Sequence, residues 1–198
     1  MIVNDLLQFV YFNIPKTGTQ SIDPVLIATG GQVVRANNVS PGAQSHYRHI
    51  PEHAKHYKKI ISVRNPYTRM LSMYNFELGR NSENAVGKTF EQYCSWALDL
   101  TINVDAYTDD DKVYRYFPCW KYAEPNGWDY VVKTESIHAD LNAISILRNI
   151  TTIPHNNKSK GVTWEQAKTS KIIHIINQWA GKEFETFGYD KISPEALI

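Results

Sequence analysis

The sequence predicts an α/β fold, P-loop-like and three-layered, in which a small, mainly parallel sheet is flanked by helices. The first observation is that short apolar runs rich in β-branched and aromatic residues recur along the 198-residue chain. The second is that the clearest runs are each followed by a segment with helical patterning, an alternation typical of βαβ units. Because 42% of the residues are hydrophobic, one sizeable core can form, and we predict a single domain over residues 1–198.

Each element follows from its local pattern. Buried strands are predicted where apolar residues run together, at residues 7–13, 32–35, 59–63 and 130–133. Helices are predicted between and after these strands, at residues 19–29, 51–57, 67–78, 89–98, 136–148 and 163–180. In open parallel sheets ligands bind beyond the carboxyl ends of the strands, so the loops that follow residues 13 and 63 form the candidate site.

Composition and charge exclude several functional classes. The formal net charge is +1, so no broad nucleic-acid-binding surface is expected. No apolar run of about 18 residues is present and the first residues lack the pattern of a signal peptide, so we predict a cytoplasmic protein without a membrane span. The two cysteines, Cys94 and Cys119, fit no metal spacing, and we expect two buried reduced thiols rather than a disulfide.

The most informative segment is residues 9–21, where an apolar strand passes through Pro15, Lys16 and Gly18 into a helical segment. Such a strand–loop–helix directs backbone N–H groups, a helix dipole and one ammonium to a single point, which suits a phosphate or a sulfate. The loop of nucleoside triphosphatases places its Lys after the glycines, whereas Lys16 precedes Gly18 and no glycine lies upstream. The segment therefore predicts an anion loop of another kind.

A second segment, residues 63–74, follows the next clear strand. Arg64 leaves that strand, Pro66 opens a helix, and Ser72 comes eight residues after Arg64, about two turns into the helix. A guanidinium and a hydroxyl that converge at a strand end would bind a second phosphate. Taken alone, either residue could also be an ordinary surface arginine or helix serine.

Together and in this order, the two segments resemble the cofactor-binding motifs of sulfotransferases that use 3′-phosphoadenosine 5′-phosphosulfate (PAPS). The residue patterns Pro-Lys-Thr-Gly-Thr and Arg-Asn-Pro-Tyr-x-Arg are most similar to those of the carbohydrate (family 2-like) branch of that superfamily. Two later segments, residues 154–159 and 184–189, also resemble patterns of the branch. Residues 79–128 match nothing that we can name, and their role stays open.

The resemblance implies a role for each matching residue. Lys16 would bridge the transferring sulfuryl group and the leaving phosphate, while Arg64 and Ser72 would hold the 3′-phosphate of PAPS, which is left on the product PAP. Lys158 and Ser159 would reach the cofactor from a late loop, although a solvated polar loop is an equal alternative. The remaining cofactor-binding residues belong to the anion loop and would donate from backbone and hydroxyl groups: Pro15, Thr17, Gly18, Thr19, Gln20 and Ser21.

A general base would help to deprotonate the acceptor hydroxyl. Four histidines precede the strand predicted at residues 59–63, and the carbohydrate branch often places its base there; we favour His46 over His49. His53 and His56 fit one solvated face of a short helix. A metal pair formed by His49 and His53, which are four residues apart, is a further alternative, but Pro51 lies between them and we do not adopt it, so no metal site is expected. A glutamate base is the rival. Glu135, two residues after the strand predicted at residues 130–133, either caps the following helix or touches the ligand.

The predicted function is therefore transfer of a sulfuryl group from PAPS to an acceptor hydroxyl, with a saccharide as the expected acceptor. Two alternatives stay open at this point: a P-loop nucleotide kinase-like enzyme, and a non-catalytic nucleotide-binding protein. Animal members of the resembled branch are commonly anchored in the Golgi membrane, whereas this chain starts almost at its first strand. That start predicts a compact bacterial or viral version.

Overall fold

The computed structural model describes residues 1–34, 49–102, 113–147, 150, 152–154 and 161–197. The chain divides into two compact units. The first consists of Met1–Arg64 with Lys121–Asn157, and the second of Asn65–Trp120 with Lys158–Ile198. The single domain over residues 1–198 stays a prediction.

The first unit is built on a five-stranded sheet of order β3-β1-β2-β4-β5. Strand β2 pairs with β4 and β4 with β5 in parallel, whereas β1 is antiparallel to both β2 and β3. Four strands of this sheet thus run in one direction, and the mainly parallel α/β fold predicted from the sequence is confirmed. The strands are β1 (Ile2–Asn4), β2 (Phe9–Phe12), β3 (Gln32–Val33), β4 (Lys58–Val63) and β5 (Tyr130–Lys133).

The helices of the described residues alternate with the strands and then continue beyond the last one. They are α1 (Thr19–Ala28), α2 (Pro66–Gly79), α3 (Phe90–Ile102), α4 (Cys119–Ala123), α5 (Ile137–Ala143), α6 (Trp164–Ala167), α7 (Ser170–Ala180) and α8 (Glu183–Phe187). Short 3-10 turns occur at Glu52–Ala54, Tyr114–Tyr116, Thr134–Ser136, Ser145–Leu147 and Pro194–Leu197. Within the described part of the chain, no helix is both long and apolar enough to cross a bilayer.

Strand β1 was not predicted, because three residues are too few to show a pattern. It pairs with β2 through a tight turn in which Gln8 has a φ of 52°. The Asn4 side chain accepts a hydrogen bond from Leu7 N (2.8 Å) inside the turn and donates to the Thr29 carbonyl (3.0 Å) at the end of α1. This one buried side chain therefore fixes both the turn and the return of the chain from α1.

Apolar faces of sheet and helices form the core of the first unit. Strand residues pack against α1 and against α5 with its following turn, and the members of this core include Phe9, Tyr11, Ile22, Leu26, Ile60, Val132, Leu141, Ile144 and Leu147. Since each of these side chains is at most 3% exposed, the sheet is held by helices as the strand–helix alternation requires.

Two predicted helices are broken by side chains that bind backbone. After α5, the Asn142 side chain donates to the Ile150 carbonyl (3.0 Å) and accepts from Ile150 N (3.1 Å), and Ile144 turns to extended backbone with a ψ of 111°, so the helix ends at Ala143. Before α7, the Thr169 hydroxyl accepts from Ile172 N (3.2 Å) and starts a new helix. Helical periodicity extends through both breaks, so the sequence pattern alone predicted single long helices.

The second unit has its own core, formed by α2, α3, α7 and α8. It contains aromatic side chains in contact, such as Tyr74 with Tyr93 at a centroid distance of 5.3 Å and Trp96 with Tyr116 at 4.9 Å. Much of residues 79–128, which matched nothing by sequence, thus supplies this core. Cys94 and Cys119 are both buried here as free thiols, so the prediction about them is confirmed.

The N-terminus of helix α2 is capped by a side chain. The Asn65 side chain accepts from Tyr67 N (3.1 Å) and Thr68 N (3.4 Å), and Pro66 occupies the first helical position, where its missing N–H costs nothing. The Tyr67 hydroxyl then donates to Asn177 Oδ1 (2.6 Å) and accepts from Ile192 N (2.8 Å). The first turn of α2 is therefore fixed to the C-terminal part of the chain.

A buried pair of charged side chains lies inside the second unit. Glu183 is 0% exposed and accepts a hydrogen bond from Cys119 N (2.5 Å). Burial raises the pKa of Glu183 to about 7, and the Arg69 guanidinium and the backbone N–H donors oppose that rise only in part. Because the raised pKa makes the folded state bind the extra proton, the stability that this group gives is present at low pH and is lost as the pH rises through 7.

We predict that Glu183→Gln removes a pH dependence of stability. The wild type should lose about 3 kcal/mol of unfolding free energy from this group between pH 4.5 and pH 8, whereas the amide keeps the Cys119 hydrogen bond without a charge. Urea unfolding at several pH values measures the difference. Glu185 is exposed on the same helix, and Glu185→Gln is the matched control. Equal pH slopes for the wild type and Glu183→Gln would contradict the prediction.

Candidate active site

The anion loop leaves the carboxyl end of β2 in a constrained conformation. Ile14 N donates back to the Phe12 carbonyl (3.0 Å), Lys16 has a φ of 67° and Gly18 a φ of 82°. A lysine in the left-handed region costs of order 1 kcal/mol or more and is retained where the surroundings impose it. The loop thus holds the backbone of Lys16 in one orientation at the sheet edge where ligands bind.

A chain of buried hydroxyls ties this loop to the sheet. The Thr17 hydroxyl donates to the Ile14 carbonyl (2.7 Å) and lies 2.5 Å from the Ser62 hydroxyl, which in turn is 2.8 Å from the Tyr11 hydroxyl. Thr17, Ser62 and Tyr11 are each 0% exposed. The Thr17 hydroxyl, expected from the resemblance to face the cofactor, is therefore directed into the protein, and Thr17 can reach an anion only through its backbone N–H.

Helix α1 begins without a side-chain cap. Gly18 is its N-cap residue and its carbonyl accepts from Ser21 N (2.9 Å) and Ile22 N (3.1 Å), but it has no side chain to bind the first N–H groups. The starts of α2 and α7 are capped by Asn65 and Thr169. Uncapped N–H groups carry the positive end of the helix dipole, and an anion is their natural partner. Lys16, Gly18 and Thr19 are half-buried at this point, Gln20 is exposed, and Pro15 and Ser21 are buried.

The turn after β5 closes one side of the loop. A Cβ added to Gly18 would lie 2.9 Å from Ile137 Cδ1 and 3.6 Å from Thr134 Cγ2, so it would have to displace the end of the Ile137 side chain. The φ of 82° independently favours glycine at this position. The Thr134 hydroxyl donates to the Val63 carbonyl (2.9 Å) at the end of β4. Because β4 lies between β2 and β5, the loop and the turn meet over its carboxyl end. Thr134 and Ile137 were not predicted as part of the site, and the position of residues 133–135 directly after a strand was the available signal.

The second motif follows β4 at this same edge of the sheet. Arg64 is half-buried and is the first residue after the strand, as predicted. Ser72 lies seven positions into the second unit, on α2, and is 4% exposed. Lys158 and Ser159 lie outside the described residues, and so does His46.

The described histidines of the 46–56 stretch precede β4. His49 is exposed and comes before the Glu52–Ala54 turn. His53 Nε2 lies 3.2 Å from Asp5 Oδ1, and the His56 ring packs edge-on against Tyr57 at 4.7 Å. His53 and His56 therefore sit at the amino end of β4, about 20 Å of extended strand from the edge that carries the anion loop. No group of three or more possible metal-ligating side chains occurs among the described residues.

Comparison with known proteins supplies the family. The model of the sulfotransferase family matches residues 1–190, a range that includes the anion loop, Arg64 and Ser72. The chain has no significant match among curated proteins or among solved structures. Since the match covers nearly all of the chain and agrees with both motifs, the protein belongs to the sulfotransferase family, in its family 2, carbohydrate-type branch.

Proposed function

We propose that this protein transfers the sulfuryl group of PAPS to an acceptor hydroxyl, with a saccharide as the acceptor. Membership of the sulfotransferase family supports transfer of sulfate in general. The observation that carries the proposal further is the anion loop, in which Lys16 precedes an uncapped helix start. These groups would be donors for a phosphosulfate, and the loop lacks the Gly-Lys-Ser/Thr order of a triphosphate loop.

The residues of the two motifs would match the charges of PAPS. Backbone N–H groups of residues 17–20 at the start of α1 would take the 5′-phosphate, and Arg64 with Ser72 would take the 3′-phosphate. The second anion site is what would distinguish PAPS from ADP or ATP. Gly18 supports this assignment, because its lack of a Cβ and its positive φ let the backbone approach a phosphate closely.

Catalysis in this proposal is electrostatic. PAPS, when bound, supplies the sulfuryl group and a phosphate leaving group. The Lys16 ammonium would lie between the two and stabilise the negative charge that grows on the bridging oxygen as the bond to sulfur breaks, and the N–H groups at the start of α1 would stabilise the 5′-phosphate. Since the fold fixes the backbone of Lys16 and the start of α1, these groups would need little reorganisation during the reaction.

The acceptor hydroxyl must lose its proton as its oxygen attacks sulfur. We propose that a histidine of the segment before β4, His46 or His49, takes that proton, because imidazole is an effective base near neutral pH. His53 and His56 are not proposed, since they lie at the amino end of β4. Lys158 and Ser159 are retained as proposed cofactor contacts on the basis of the family resemblance.

Two other functions are less well supported. In a P-loop kinase the Lys and the Ser or Thr after it stand at the helix start. Lys16 and Thr17 instead precede Gly18, and α1 begins only at Thr19. A non-catalytic nucleotide-binding protein would not need a lysine held at a φ of 67° next to the bound anion. The strain therefore favours an enzyme.

We predict that Lys16→Ala lowers turnover by about 100-fold or more while PAP affinity stays within about fivefold, because the ammonium acts mainly on the charge that forms in the transition state. PAP release from PAPS, with a panel of saccharide and phenolic acceptors followed by mass spectrometry, measures turnover. Lys55→Ala is the control, since Lys55 is exposed near the amino end of β4. Unchanged turnover in Lys16→Ala would refute the mechanism.

Calorimetry should show that PAP binds more tightly than ADP and more tightly than ATP with Mg²⁺. We predict that Arg64→Ala weakens PAP binding about tenfold or more, through loss of a charged hydrogen bond, and leaves ADP binding nearly unchanged. The difference isolates the 3′-phosphate, since PAP carries this group and ADP does not. A wild-type preference for ATP with Mg²⁺ would instead support the kinase.

Single His→Ala variants at positions 46, 49, 53 and 56 identify the base. We predict that one of the first two variants loses turnover by about 100-fold or more and no longer gains rate as the pH rises, because no group remains to accept the proton. Added imidazole should restore part of its activity. The variants at 53 and 56 are the controls. Full activity in both of the first two variants would favour a glutamate base.

A further inference from the structure

The second arginine of the Arg-Asn-Pro-Tyr-x-Arg segment has a different environment from the first. Arg64 is half-buried at the sheet edge, whereas the Arg69 side chain is 0% exposed within the second unit. Its Nη1 donates to the Phe117 carbonyl (2.9 Å). A guanidinium enclosed in this way does not offer its charge to a nucleotide that arrives from solvent.

Three parts of the second unit meet at Arg69. Its guanidinium carbon lies 5.5 Å from the centre of the Trp179 ring on α7, and the Trp179 indole donates to the Tyr116 carbonyl (2.9 Å). The Glu183 carboxylate on α8 binds Cys119 N, and its charge interacts with that of Arg69. Arg69 thereby joins α2 to the backbone of residues 116–119, to α7 and to α8.

Ser72 is three residues after Arg69 on the same helix, so the two side chains are neighbours along one face. Tyr67 fixes the first turn of α2 through Asn177 and Ile192, and Arg69 fixes the next turn. A shift of α2 along or about its axis would carry Ser72 with it. Because a hydrogen bond sets direction more strictly than apolar packing does, the Arg69 contact constrains α2 close to Ser72.

We propose that Arg69 is a positioning residue: it acts through α2 and Ser72 to set the affinity for the 3′-phosphate, and it does not touch the nucleotide. This inference rests on the proposed function. Stability alone does not explain the residue, because apolar side chains of similar volume replace buried ion pairs with little cost or even a gain. A planar guanidinium that binds a carbonyl and an indole face at once instead fixes geometry, which lysine does only in part.

The test compares wild type with Arg69→Met, Arg69→Lys and Ser72→Ala, all below their thermal transitions. We expect Arg69→Met to weaken PAP binding about tenfold and to raise the KM for PAPS by a similar factor, with kcat at saturating PAPS and the affinity for ADP both within about twofold. The PAP-to-ADP affinity ratio should fall in Ser72→Ala also. Arg69→Lys should be intermediate. Arg80→Met is the matched control, since Arg80 is exposed at the end of the same helix.

The outcomes separate the two proposals. An unchanged PAP-to-ADP ratio in Arg69→Met, whatever its melting temperature, would overturn the positioning role and leave the proposed function intact. A wild type that does not prefer PAP over ADP would overturn both. If Arg69→Met does not fold, the double variant Arg69→Met with Glu183→Gln removes the buried charge pair together and is measured in the same way.

Discussion

The buried contact between the Thr17 and Ser62 hydroxyls is the constraint on which the candidate site depends. It connects the loop after β2 to the interior of β4, and the Thr17 bond to the Ile14 carbonyl closes the loop on itself. Apolar side chains could fill the positions of Thr17 and Ser62, but without the hydrogen bond they would not hold the loop at one place along β4. With the loop fixed, Lys16 is held in its left-handed conformation and α1 starts at a defined point.

The second motif would combine binding of an anion with anchoring of a helix. Asn65 and Pro66 start α2, Tyr67 and Arg69 fix it within the second unit, and the proposed ligand contacts are left to Arg64 and Ser72. This division explains why the segment is long for a site that would bind one phosphate. Most of its residues define where a helix begins and how it is oriented, since a short hydroxyl such as that of Ser72 tolerates little displacement from its ligand.

The anchoring of α2 places charged side chains in the interior, which lowers the stability of the second unit. Arg69 and Glu183 are both fully enclosed, and burial raises the pKa of Glu183 to about 7. The second unit is therefore less stable when Glu183 is ionised than when it is protonated. The aromatic core supplied by α3 and its neighbours offsets that cost, which gives residues 79–128 a structural role.

The sequence by itself determined the strand–helix alternation, the Lys-before-Gly loop and the family, because each of these depends on residues close together in the chain. The tertiary structure alone decided that the Thr17 hydroxyl points inward, that Thr134 and Ile137 close on Gly18, and that His53 lies at the far end of β4. The reason is that these facts follow from parallel pairing of strands far apart in sequence, such as Phe12 with Ile61 and Val63 with Lys133. No local pattern encodes that register, since it is set by which buried side chains pack together across the sheet.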